Sequence, residues 1–252
     1  MNAILKEILD NSAVKMESEQ SDSNHKKVIL VFDTETSGLF PKPNKDISMK
    51  SKLEDYPYIL QLSFVLFDMK TRKIIHKYNK YIKVPDHVII SPFITDLTGI
   101  TREKCNKGVS IIVALQELYH AYKLCDAIVA HNISFDRQMV EIETIRNFNL
   151  LVRTIPMIAF IFNSTFHKLE NKEVLCTMSI GKNVCNILVV SKTNPENTYK
   201  KNPKLEELYE HLFQESINNA HDALYDTLAC LRCFLKLYYK IDFDIKNIDM
   251  IL

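Results

Sequence analysis

Apolar and polar positions along this chain follow two periods, one near two and one near 3.6, and the order in which they alternate predicts the elements. Lys27 to Phe32 (KVILVF) is a short β-branched run ending at Asp33, which reads as a buried strand with an acid at its tip. Ile59 to Asp68 (ILQLSFVLFD) predicts a second strand and residues 72 to 84 a third, the three forming an antiparallel meander. Ser110 stands as an N-cap before Ile111, Ile112, Leu115, Leu118, Tyr119 and Tyr122, whose spacing is helical. Ala127 to Ala130 predicts a short strand, Phe135, Met139 and Ile142 the stripe of a second helix with Asp136 on its first turn, and residues 173 to 178 a final strand. Leu205, Leu208, Tyr209 and Leu212 predict a further helix. Leu224, Leu228, Leu231, Leu235 and Tyr238, at spacings of four and three, predict the last long one, with Asp226 in its first turns and His221 at or before its start. The expectation is an α/β fold: a mixed five-stranded sheet, an antiparallel meander plus parallel strands, flanked by helices on both faces.

Two stretches break the pattern. Residues 41 to 57 (PKPNKDISMKSKLEDYP) and 181 to 204 are polar, lysine-bearing and without periodicity, and both read as loops or insertions. Residues 1–26 read as a mobile N-terminal tail, 27–240 as one domain and 241–252 as a C-terminal extension.

Composition narrows the function more than the fold. The 46% hydrophobic content supports a sizeable core, while a net charge of +1 gives no global attraction to nucleic acid, so any polyanion site must be local. Six cysteines at irregular positions, with no secretory signal, predict reduced thiols and an intracellular, soluble protein, in cytoplasm or nucleus alike. Cys230 and Cys233 form a CxxC inside a predicted helix with no second pair, which reads as buried packing and not as zinc ligation. Only four glycines are present, and inspection excludes a dinucleotide fingerprint, a Walker loop and a GxSxG elbow.

Carboxylates beside apolar runs are what remain. In Asp33-Thr34-Glu35 the two acids point the same way, because positions two apart on an extended chain share a face, and Thr34 faces away. Taken alone, the triplet reads equally well as an exposed polar turn. Asp136 and Asp226, on helices able to pack over that sheet edge, bring the number of acids to four. Such a cluster repels itself and raises its own pKa values unless a cation is shared. Oxygen-only donors favour Mg²⁺ or Mn²⁺ over zinc, and two ions about 4 Å apart suit phosphodiester hydrolysis. His221 is placed to take a proton from the attacking water near neutral pH; alone, it would read as a cap or surface histidine.

These segments together, VFDTETSGL, ILQLSFVLFD, LTGIT, AHNISFD and AHDALYDTLA in that order, closely resemble the motifs of the DEDDh 3′-to-5′ exonucleases, the DnaQ-like group that includes the proofreading subunit of bacterial DNA polymerase III. The resemblance spans about residues 28 to 235. It implies a ribonuclease H-like fold and hydrolysis of DNA or RNA from single-stranded or frayed 3′ ends, releasing nucleoside 5′-monophosphates. It further implies that Asp33, Glu35 and Asp226 surround one metal, that Asp136 serves the second ion or its waters, and that His221 is the general base. The sister group carries a tyrosine four residues before the final acid. That position here is Asp222, so His221, five residues before it, fits the histidine class. The terminal nucleotide is expected against Thr36, Gly38, Leu39, Thr98, Asn132 and Phe135, and for Phe135 ordinary core packing is an equal reading.

Thr98 stands where many relatives have histidine, and the two excursions exceed the compact family pattern. The plain reading of both is solvated loop; the other is that Lys42, Lys45, Lys50 and Lys52, with Lys192, Lys200, Lys201 and Lys204, grip the strand upstream of the cleaved bond. A different class of function, an interaction subunit docking on a DNA polymerase or replication protein, is suggested by Ile4, Leu5, Ile8 and Leu9 at helical spacing in the tail. An RNA-trimming enzyme of the same fold is the third reading, since the motifs do not separate the two sugars.

Overall fold

Ile59–Asp68, the second strand (β2), is buried at all ten of its positions, which a strand achieves only with neighbours on both edges and cover on both faces. Around it the computed structural model, which describes residues 28–41, 52–191, 194–217 and 222–245, builds one mixed sheet. β1 (Val28–Thr36) and β3 (Lys73–Lys83) lie antiparallel on either side of β2. β5 (Ala127–Ala130) pairs parallel with β1, and β6 (Glu173–Cys176) parallel with β5. A two-residue strand, β4 (Val109–Ser110), adds to β3, giving the order β4-β3-β2-β1-β5-β6. The five strands read from the pattern are therefore present in their expected arrangement; β4 is too short to leave a periodic signal.

Helices cover the two faces from opposite directions. On one face Leu30 and Phe32 of β1 and Phe64 and Leu66 of β2 pack with α3 (Ile111–Leu124) and α4 (Ile133–Arg146), through Leu115, Leu118, Met139 and Val140. On the other, Ile29, Val31, Val65 and Phe67 pack with Leu228, Leu231, Phe234 and Leu235 of a long helix, Ala223–Tyr239. α3 begins where its cap predicts, the Ser110 hydroxyl accepting from the Val113 N–H at 3.3 Å. Two short helices, α1 (Pro92–Thr98) and α2 (Arg102–Asn106), bridge β3 to β4. α5 (Phe148–Leu151) and α6 (Ser164–Leu169) lie between α4 and β6.

The second excursion is not a loop. Thr177–Cys185 is a helix (α7), and Leu188–Val190 with Thr198–Lys200 form an antiparallel hairpin (β7 and β8) before α8 (Leu205–Phe213) and the final helix, α9 (Ala223–Tyr239). The lysine-rich surroundings outweighed the short apolar run from Ile187 to Val190, and Thr198–Lys200 has no apolar alternation to mark it. In the first excursion only 52–57 belong to the described residues besides 41, with a 3₁₀ turn at Leu53–Asp55. Beyond α9, Ile241, Phe243 and Ile245 pack on the sheet's second face, and Asp242 pairs with Arg232 at 3.0 Å.

The cysteines are free thiols, with Cys230 and Cys233 buried in α9. Among the described residues no helix is long and apolar enough to cross a membrane.

Candidate active site

β1 carries its acids by simple alternation. Odd positions from Ile29 to Val31 face α9 and even positions from Leu30 to Phe32 face α3 and α4, so Asp33 and Glu35 continue toward α9, while Thr34 and Thr36 continue toward α4. The strand runs through both acids to Thr36, further than the apolar run alone indicates, and shifts register by one residue between Glu35 and Thr36. α9 starts with Asp222 as its cap, the carboxylate accepting from Leu224 N–H at 2.9 Å, which puts Asp226 one turn in. Asp33, Glu35 and Asp226 can each offer an oxygen such that all three lie within 4.8 Å of one another. All three residues are half-buried, so the group is open on one side.

Asp136 arrives from the opposite face, on the first turn of α4, and is almost wholly buried. Its Oδ1 accepts twice from Thr34, from the backbone N–H at 3.0 Å and from the hydroxyl at 2.8 Å. Thr34 does face away from Asp33 and Glu35, and in doing so meets the fourth acid. Sequence reasoning passed over this role, since a threonine between two acids carries no signal of its own until the faces of the sheet are assigned.

The four acids share one electrostatic field. Loss of water on burial raises the Asp33 pKa well above the ordinary carboxylate range, and the charges of Asp136, Asp226, Glu35 and Asp222 add to it. Glu35 is pushed up to about 8, first by burial and then by Asp226, Asp136 and Asp222. Asp136 is pushed up to about 7 by burial, against the two Thr34 hydrogen bonds, which favour its charged form. An all-carboxylate set this strained by its own charge fits a hard divalent cation, which reverses the sign of the repulsion.

Other residues expected at the site fall in three places. Thr36 and Gly38 shape the turn after β1, the Thr36 hydroxyl donating to the Gly38 carbonyl at 2.7 Å, and Leu39 beyond them is 83% exposed. Asn132 opens α4 in the left-handed region, φ 63°, and Phe135 on its first turn lies against Phe40, ring centroids 4.8 Å apart. Thr98 ends α1, its hydroxyl donating to Ile94 O at 2.8 Å and accepting from Ile100 N at 3.1 Å, so both contacts serve its own helix end. Gly99 supports that end at φ 68°. His221 lies outside the described residues.

Three further polar residues were not foreseen. Gln61 stands opposite Glu35 in the ladder, buried, its amide donating to Asn79 at 2.8 Å. Arg146 closes the first excursion, donating to the carbonyls of Leu53, Tyr56 and Pro57 and to Glu143, and stacking 3.7 Å over the Tyr58 ring. His131, before Asn132, touches the Thr177 hydroxyl at 2.9 Å through Nδ1 and the Pro203 carbonyl at 3.1 Å through Nε2. Burial brings its pKa down to about 4, so it is neutral and Nε2–H donates to Pro203.

A mixed sheet with acids gathered from its central strand and from helices on both faces defines the ribonuclease H-like class of nuclease folds. The model of the RNase T family, described as an exonuclease, matches residues 30–234, and the chain belongs to that family. Membership in that exonuclease family bears out the resemblance to the DnaQ-like exonucleases. A curated relative, the DNA polymerase III PolC-type of Mycoplasmopsis pulmonis (strain UAB CTIP), is 30% identical over 118 residues, 47% of this chain and 7% of the polymerase. Among solved structures, the nuclease domain of 3′hExo, a DEDDh family member bound to rAMP, shares the fold at TM-score 0.57 and 16% identity, over 88% of this chain and 96% of that one. E. coli Exonuclease I in complex with a dA16 oligonucleotide does so at TM-score 0.55 and 16% identity, over 84% of this chain and 41% of that one.

Proposed function

We propose that this exonuclease removes nucleotides one at a time from single-stranded or frayed 3′ ends of DNA or RNA, releasing nucleoside 5′-monophosphates, with two Mg²⁺ or Mn²⁺ ions. The observation that carries the reading is the convergence of Asp33, Glu35 and Asp226 within 4.8 Å, beside Asp136. In this reading those three carboxylates hold one ion, and Asp136, fixed by Thr34, serves the second. Bound there, the ions supply Lewis acidity at the scissile phosphate. His221 takes the proton of the attacking water, as its spacing from Asp226 suggests. In the same reading Thr36, Gly38, Leu39, Thr98, Asn132 and Phe135 seat the terminal nucleotide. Contact with apolar side chains tolerates any base, which suits an enzyme that must digest every sequence.

Incubation of a 3′-labelled oligonucleotide with Mg²⁺ should release mononucleotides. No release from DNA or RNA, with either Mg²⁺ or Mn²⁺, overturns the reading. Matched DNA and RNA strands, single and duplex, then rank the substrates. Association with a polymerase is a second reading, supported by the PolC-type relative, although the chain spans only 7% of that protein. It requires co-elution with a polymerase and a change in exonuclease rate on binding.

A further inference from the structure

The region between α7 and α8 combines three features that a solvated loop does not need. It is folded: Leu188 pairs with Lys200, Val189 with Tyr199 and Val190 with Thr198, and Lys201 N–H closes the base on Ile187 O at 3.0 Å. It exposes large apolar and aromatic side chains. Leu188 and Val190, on one face, are 59% and 58% exposed, and Tyr199, on the other, is 54% exposed. It is also basic: residues 182–204 carry Lys182, Lys192, Lys200, Lys201 and Lys204 against Glu196, in a chain whose net charge is only +1, although Lys201 is paired with Glu207 of α8.

The hairpin is rooted next to the acids. α7 begins directly after β6, whose end lies beside that of β5, and Pro203 accepts from His131, the residue before the turn into the helix that bears Asp136. On the far side of the root, Thr177 lies 3.6 Å from Cys230, one turn along α9 from Asp226. Gly181 lets the root close: a Cβ there would meet the Leu208 side chain at 3.0 Å and Pro203 at 3.2 Å. The arm therefore stands on the same bonded framework that holds the site, at the ends of the parallel strands, where open α/β sheets bind their ligands.

We propose that this hairpin is a grip for the single strand upstream of the cleaved bond, Tyr199 stacking on a base and Lys200 meeting a phosphate. The proposal rests on the exonuclease reading for the position of the 3′ end. Charge complementarity selects a polyanion as the occupant, and exposed apolar and aromatic side chains among lysines suit an unpaired strand, whose bases present flat apolar faces.

The test compares the full chain with Tyr199→Ala and Lys200→Glu, both at exposed positions, after melting curves establish that each variant folds. Binding is read by fluorescence anisotropy, in EDTA, on oligonucleotides of about 16 and about 4 nucleotides, lengths spanning the usual single-strand site sizes. Each variant should weaken binding of the longer strand about tenfold more than of the shorter one, as expected for loss of one stacking or charge contact. Lys200→Glu should also flatten the dependence of log Kd on log salt by roughly one contact's worth. Equal effects on both lengths, or none on either, overturn the proposal. So does unchanged strand binding accompanied by loss of self-association or of a polymerase complex, which would make the arm a protein-docking element. Because anisotropy needs no turnover, absence of nuclease activity would defeat the proposed function and leave this measurement standing.

Discussion

The two faces of the central sheet deliver acids to the same edge by opposite means. On the α9 face, Asp33, Glu35 and Asp226 converge half-open to solvent, and burial and mutual repulsion raise the pKa values of Asp33 and Glu35. On the α4 face, Asp136 is buried and held by two hydrogen bonds from Thr34, which partly offset the cost of its burial. In the first arrangement the acids repel one another, which a bound cation would relieve. The second is satisfied by the fold. An edge built this way holds one carboxylate by hydrogen bonds and gathers the other three where one cation could meet them.

The largest effects should come from the open face. Loss of groups that merely orient metal ligands typically costs about 10- to 100-fold, so Asp226→Asn or Asp33→Asn should lower kcat on a labelled oligonucleotide by more than that. Asp33→Asn also removes a repelled charge, and that variant without metal should melt no lower than the parent in a thermal shift assay. A large fall in its metal-free stability would mean that Asp33 is held by the fold as Asp136 is, and the contrast between the faces would disappear. His221→Ala, tested on the same substrate, should cost about 10²- to 10⁴-fold if it serves as general base.

Next in size is the response to pH. Glu35 and Asp136, at about 8 and about 7, titrate above their unfolded values, so the folded state binds protons more tightly than the unfolded one. Their contribution to stability is full below the ordinary carboxylate range and is lost as pH rises through 7 and 8. Metal-free protein should therefore melt progressively lower between pH 5 and pH 8.5, at about 2–4 °C for each kcal/mol lost in a chain of this size. Mg²⁺ should cancel the decline, and its stabilising effect should be larger at the alkaline end. A metal-free melting temperature that stays level across this range would contradict the repulsion inferred on the α9 face.

How much of this was legible beforehand followed the strength of each local signal. Ile59–Asp68 and Ala127–Ala130 have the bounds that their apolar runs mark, and Ser110 caps the helix it was expected to cap. Motif order singled out the four acids whatever the packing, and the fold brings Asp33, Glu35 and Asp226 within 4.8 Å of one another. The Thr34 bond to Asp136 was not, since it depends on two helices lying on opposite faces of one strand. The Arg146 network escaped notice for a related reason: its partners are backbone carbonyls, and these leave no mark in a sequence. The hairpin at 188–200 was missed although Ile187 to Val190 is an apolar run, because the polar residues around that short run marked the whole segment as loop.

The smallest effect is the most specific to the comparison, and it falls on Thr34. Valine keeps the shape of threonine and leaves the backbone N–H that donates to Asp136 at 3.0 Å, but removes the hydroxyl that donates at 2.8 Å. A net loss of about 1 kcal/mol is the ordinary value for one such bond, visible as a fall in melting temperature of about 2–4 °C. Of greater diagnostic value is the proton equilibrium. The hydroxyl favours the charged form of Asp136, so Thr34→Val must raise that pKa further. The acid limb of the pH–rate profile should move to higher pH while the alkaline side holds, because the acids of the α9 face keep their surroundings. An equal displacement of both limbs would show that Thr34 acts on the whole cluster, and the division of the edge into one carboxylate held by hydrogen bonds and three gathered for a cation would have to be given up.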